Sequence, residues 1–258
     1  MNEPRKRTAP GITAMKGQEK IVCVTAYDWP SARAAQQAGI DLILVGDSLG
    51  NAVLGYPDTL RVSLEDMEHH TSAVARAEGP ALIVADMPFG SFGTSVADTV
   101  RSAVRLVKAG AQAVKIEGPF VEEITAILNV GIPVMGHVGM TPQSVHRFGG
   151  FRMQGKDASG ADEIVMAAQA IEHAGAFGVV VELVPDQLAR RVSETLGIPT
   201  IGIGAGPYCD GQVQVWHDVL GITETKLRHA HRFAELGMAA QTGLQAYVAA
   251  VRNGGMPK

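Results

Sequence analysis

The chain has 258 residues, 46% hydrophobic, 19% charged and 5% aromatic, with a net charge of −4. That balance gives no electrostatic case for nucleic acid, whose usual footprint is a basic stripe, and few aromatics are there to stack on bases. The length suits one large α/β domain or two small ones.

The opening MNEPRKRTAP is basic but is followed by no apolar segment of the signal-peptide kind. No apolar run approaches the ~20 residues of a membrane span, so the expectation is a soluble, cytoplasmic protein. Cys23 and Cys209 match no metal or redox spacing, and Cys23, within an apolar run, reads as a buried free thiol.

In chain order, short β-branched runs alternate with longer amphipathic stretches. The runs are IVCVTAYD (21–28), DLILVGDS (41–48), ALIVADMP (81–88), AVKIEGP (113–119), PVMGHVGM (133–140), GVVVELVP (178–185) and PTIGIGAG (199–206), with GQVQVWHD (211–218) a weaker eighth. Between them, SVADTVRSAVRLVKAG and SGADEIVMAAQAIEHAG each open on a serine suited to cap a helix and close on a glycine suited to end one. No linker or shift in composition interrupts the series. The expectation is one domain over residues 1–258, a closed (β/α)8 barrel with a short N-terminal extension and a helical C-terminal tail. The competing architecture is an open doubly wound sheet. Its dinucleotide form would place G-x-G-x-x-G near the N-terminus, whereas GIGAGP comes late and lacks that spacing.

Several runs are apolar until their last positions and then turn polar, at Asp28, Asp47 with Ser48, Asp86, Lys115 with Glu117, His137 and Glu182. Residues i and i+2 of a strand share a face, so Lys115 and Glu117 project side by side, as a structural ion pair or as parts of a site. In a parallel barrel all these ends gather on one rim, where so many ionisable groups would repel and desolvate one another without a cation or a task. Oxygen ligands without cysteine favour a hard cation such as Mg²⁺. With Lys115 beside it, such a site suits a 2-oxo acid held through its carboxylate and keto oxygen. Glu182, among apolar neighbours, is the candidate base, with a structural carboxylate as the alternative. His137 is either an orienting group or a satisfied core histidine. His69, His70 and the HAH at 229–231 fall on helical stretches and read as solvated.

TAYDWPSARAAQQAGIDLILVGDSLGNAVLGYPDT, ADMPFGSF, AVKIEG, GHVGMTPQSV, FGGFRMQGKD and GIGAGPYCDGQVQVWHDVLG together resemble the ketopantoate hydroxymethyltransferase family, over about residues 9–221. The resemblance implies a barrel of the phosphoenolpyruvate/pyruvate type in pantothenate biosynthesis. It implies transfer of a hydroxymethyl group from 5,10-methylenetetrahydrofolate to 3-methyl-2-oxobutanoate, and assembly as a homodecamer. It further implies Asp47, Asp86 and Glu117 as Mg²⁺ ligands, Asp47, Ser48, Asp86 and Lys115 as substrate contacts, and Glu182 as proton acceptor. Leu183 stands where the family often has cysteine. After the methylene is attached, C3 is quaternary, so elimination is blocked and the folate must leave by hydrolysis or after formaldehyde release. Rival readings are a Mg²⁺-dependent lyase or mutase on another 2-oxo acid, and a silent barrel kept for assembly.

Overall fold

The computed structural model describes residues 6–223 and 230–255. In chain order the elements begin with α1 (Ala9–Thr13), β1 (Ile21–Thr25), α2 (Trp29–Ala38), β2 (Leu42–Val45), α3 (Leu49–Ala52), α4 (Leu64–Ala75) and β3 (Leu82–Asp86). They continue with α5 (Val96–Lys108), β4 (Ala113–Glu117), α6 (Val121–Asn129), β5 (Val134–Gly139), a 3-10 turn (Pro142–Ser144), α7 (Val145–Phe148) and α8 (Ala158–His173). The last are β6 (Gly178–Glu182), α9 (Asp186–Thr195), β7 (Thr200–Ile203), β8 (Gly211–Gln214), α10 (Trp216–Val219) and α11 (Leu236–Arg252). The eight strands close into a barrel in sequence order. Parallel pairing joins each strand from β1 to β7 to its successor. The barrel expectation holds, and the open sheet does not.

Strand alternation sorts the side chains into layers. Cys23, Leu42, Leu44, Leu82, Val84, Ala113, Met135, Val180, Ile201 and Val213 belong to one buried apolar cluster. Two residues further along each row, the same parity carries Asp86 after Val84, Lys115 and Glu117 after Ala113, His137 after Met135, and Glu182 after Val180. The lower barrel is thus hydrocarbon and its C-terminal end polar.

Helix α1 closes the opposite end. Thr8 caps it by accepting from the Gly11 N–H, and Ala9 and Ile12 are buried. Ile12 and Met15 join the interior cluster, a burial of roughly 1.5–3 kcal/mol for each side chain. The Thr13 hydroxyl donates to the Phe177 carbonyl at 3.0 Å. Lys16 Nζ reaches the Ser193 carbonyl at 3.0 Å and Asp210 Oδ2 at 2.7 Å.

Several local expectations need correction. Asp28 does not join the polar rim: it caps α2 in a reciprocal pair with Ser31, accepting the Ser31 N–H at 2.8 Å, and it is exposed. A short acid just before Trp-Pro satisfies the free N–H groups of a helix start, and that local bond claims it. Ser159 is not the cap of α8, because Asp157 accepts from the Gly160 N–H and starts the helix two residues sooner. Ser95 does cap α5. The eighth run divides into β8 and the turn of α10. His70 is no solvated histidine, since its Nδ1 meets the Tyr27 carbonyl at 2.6 Å. His231 is exposed but lies outside any helix, and His229 lies outside the described residues.

The described chain divides into two compact units, Met1–Val213 and Gln214–Lys258. In the second, α10 and the segment before α11 are tied by Phe233 N–H to Val219 O at 2.8 Å and Leu236 N–H to Leu220 O at 2.9 Å. Along α11, Met238, Leu244, Tyr247, Val248 and Val251 are exposed. Among the described residues no helix is long and apolar enough to cross a membrane.

Candidate active site

At the polar end of the barrel the register sets the groups level. Asp86 pairs with Lys115 and Glu117 with His137, while Gly139 pairs with Glu182. Lys115 Nζ donates to Asp86 Oδ1 at 2.5 Å, and both side chains are 4% exposed. Asp86 Oδ2 accepts the Asp47 N–H at 3.1 Å. Asp47 and Ser48 come from the turn after β2. Gly46 allows that turn to fold tightly, because a Cβ there would lie 2.8 Å from Ser48 Oγ and 3.4 Å from Asp86 Oδ2. Ser48 Oγ in turn shares a 2.8 Å hydrogen bond with the hydroxyl of Tyr27.

His137 stands between two acids. Its Nδ1 lies 3.4 Å from Glu117 Oε1 and its Nε2 lies 3.3 Å from Glu182 Oε2, near enough to attract but out of hydrogen-bond alignment. A neutral imidazole carries one N–H, so it can donate to only one of them at a time. Burial, and then the Lys115 charge, lower the His137 pKa and favour that neutral form.

Electrostatics make the cluster hungry for positive charge. Burial first, then Asp86 and Glu117, push the Asp47 carboxyl well above its ordinary range. Burial raises Glu117 to about 7 against the pull of Lys115. Burial would lower Lys115, yet Asp86, Glu117 and Asp47 around it hold its pKa above the usual value and keep it charged. Glu182 is raised by burial, partly countered by His137, and its side chain keeps 15% exposure.

The backbone after Glu182 is strained and pinned. Leu183 has φ of 45°, the one non-glycine residue at positive φ among the described residues, a conformation that costs of order 1–3 kcal/mol. Its N–H donates to Ile203 O and its carbonyl accepts from the Gln154 N–H, each at 2.9 Å, while the Glu182 carbonyl accepts from the Met140 N–H at 2.8 Å. This grip aims the Glu182 side chain at the mouth of the barrel.

The structure therefore gathers Asp47, Ser48, Asp86, Lys115, Glu117, His137 and Glu182 at one end and leaves Asp28 out. Among the described residues, no three His, Cys, Asp or Glu side chains converge into a ready metal cage. Magnesium usually takes only one or two protein carboxylates and keeps several waters. The all-oxygen donor set fits it, as does Glu117 Oε1, buried without a hydrogen-bond donor. Two participants escaped the sequence reading: Tyr27, and Gln143 of the 3-10 turn, which bonds Asp47 and Glu117. Both are uncharged, and only their places in TAYD and GMTPQ, beside strand ends, could have pointed to them.

The sequence model of the family described as ketopantoate hydroxymethyltransferase matches residues 6–258. A 3-methyl-2-oxobutanoate hydroxymethyltransferase of Pyrobaculum calidifontis is 49% identical over 99% of this chain and 97% of its own length. One from Thermococcus kodakarensis is 50% identical over 98% and 90%. Among solved structures, 2,3-dimethylmalate lyase, a PEP mutase/isocitrate lyase superfamily member, superposes with TM-score 0.63 at 20% identity, covering 97% of this chain and 90% of that one. Phosphonopyruvate hydrolase, in complex with oxalate and Mg²⁺, gives 0.65 at 15% identity over 98% and 92%. At those identities the two structures share the fold alone.

Proposed function

This chain belongs to the ketopantoate hydroxymethyltransferase family, and we propose that it transfers a hydroxymethyl group from 5,10-methylenetetrahydrofolate to C3 of 3-methyl-2-oxobutanoate, forming 2-dehydropantoate. The supporting observation is the pairing of a buried ammonium, Lys115 on Asp86 at 2.5 Å, with a partly open carboxyl, Glu182, whose pKa burial has raised.

Asp47, Asp86 and Glu117 would hold the magnesium ion, in part through its waters, and when bound it supplies Lewis acidity toward the keto oxygen. Lys115 binds the substrate's negative charge, and Ser48 and the two aspartates complete the contacts. Glu182 takes the C3 proton, and a base with a raised pKa suits that work near neutral pH. His137 faces Glu182 from below and steadies the carboxyl. The apolar wall beneath, from Val84 to Val180, closes the site from below. The enzyme works as a homo-oligomer in the cytoplasm, a decamer by family resemblance, and the exposed apolar side chains of α11 are consistent with further association.

Solvent deuterium exchange tests the assignment. Wild-type protein with Mg²⁺ and keto acid, without folate, should exchange the C3 proton. Glu182→Gln should bind the keto acid yet exchange it about 10²–10⁴-fold more slowly, the usual contribution of a general base. Unchanged exchange in that variant would remove Glu182 from the role.

A further inference from the structure

One uncharged side chain links three of the rim segments. Gln143 Nε2 donates to Asp47 Oδ2 at 2.8 Å and to the Met87 carbonyl at 2.9 Å, and the Gln143 backbone N–H donates to Glu117 Oε2 at 3.0 Å. The Met87 carbonyl can only accept, and so can an ionised carboxylate, so the amide must present its NH₂ group to both. Its oxygen is thereby turned to the other side. Gln143 is 8% exposed, and its Oε1 is buried with no donor. An unsatisfied buried acceptor costs about 1–3 kcal/mol. Glu117 Oε1 likewise makes no hydrogen bond, with His137 Nδ1 3.4 Å away and out of alignment. Two acceptor oxygens that make no hydrogen bond, beside acids that repel one another, are complementary to a hydrated cation, which brings both positive charge and water O–H groups.

We propose that Gln143 is a positioning residue for the cation: it grips one oxygen of Asp47 and one of Glu117 so that each acid presents the other, and its own free oxygen accepts from a water of the cation's shell. The proposal rests on the magnesium reading above. It assigns Gln143 no contact with the keto acid and no proton.

The test uses Mn²⁺ alone as a paramagnetic probe, with no substrate. Gln143→Met removes the amide at similar volume, and Gln143→Asn withdraws it by one methylene. Each should weaken Mn²⁺ binding by about 10–100-fold, the usual effect of removing a group that orients a metal ligand, and should change the electron-spin-resonance line of the bound ion. The Asn variant carries the comparison if the Met variant does not fold. A variant that melts earlier but binds Mn²⁺ as tightly as the wild type, with the same line, overturns the proposal while leaving the cation site standing. A wild-type protein that takes up no Mn²⁺ overturns both.

Discussion

Lys115 carries an ammonium to a place where 4% of its side chain meets solvent, and it remains charged because Asp86, 2.5 Å away, and then Glu117 and Asp47 surround it with negative charge. Removing one partner of such a pair leaves a buried charge uncompensated, at a cost of about 3–5 kcal/mol. Cys23 follows the opposite course. Its thiol is buried, and desolvation followed by the nearby Asp41 charge pushes its pKa up, so it stays neutral. Cys209 is raised for the same first reason. We expect neither thiol to react with an aromatic disulfide reagent at pH 8 until denaturant is added, when both should. Fast labelling of either in the folded protein would contradict the burial. The sign for stability follows from the same shift. The unfolded thiols lose their protons above about pH 8.5 while the folded ones keep them, so their contribution is full below that pH and falls as pH rises past it. At this scale the sequence exposed the charged residues of the site, because an ionisable group ending an apolar run is conspicuous. It hid Gln143 and Tyr27, whose roles arise from partners brought from other strands.

The strands ended sooner than the apolar runs that announced them. The second run extends through Ser48, but β2 stops at Val45, because the chain must leave the sheet to turn Asp47 inward. Short β-branched, apolar runs therefore located all eight strands, while their ends were set by turn chemistry. Asp28 belongs to the same lesson: a polar residue at a strand end is also the residue before a helix, and only the fold decides between rim and cap. Gly139, at the end of β5, tests how tightly these ends are fitted. It has φ of 94°, and a Cβ there would lie 2.2 Å from the Glu182 carbonyl oxygen. Gly139→Ala should destabilise the protein by more than ~1 kcal/mol, since alanine is strained at positive φ, and should reduce C3 exchange by displacing the base. Thermal unfolding and the exchange assay read the two effects separately. A variant with unchanged stability and exchange would show that the junction yields freely.

Taken whole, the chain has a barrel that pattern made legible, whereas the association proposed above lies beyond the reach of pattern. No periodicity in a single sequence reports which apolar side chains will be covered by another copy. Light scattering at micromolar concentration should give a mass well above the 27.1 kDa of one chain, and a value at 27.1 kDa would refute association. The plug formed by α1 has a consequence for the order of events during synthesis. Thr13, Lys16 and their neighbours meet partners 164 to 194 residues later in the chain. Such distant pairings are slow to form, because the intervening loop must close before they are rewarded. This helix leaves the ribosome well before its partners and is thus among the last to dock. Until β6, β7 and Asp210 have emerged, Ile12 and Met15 have no barrel to seal, and the nascent protein must carry that apolar segment uncovered.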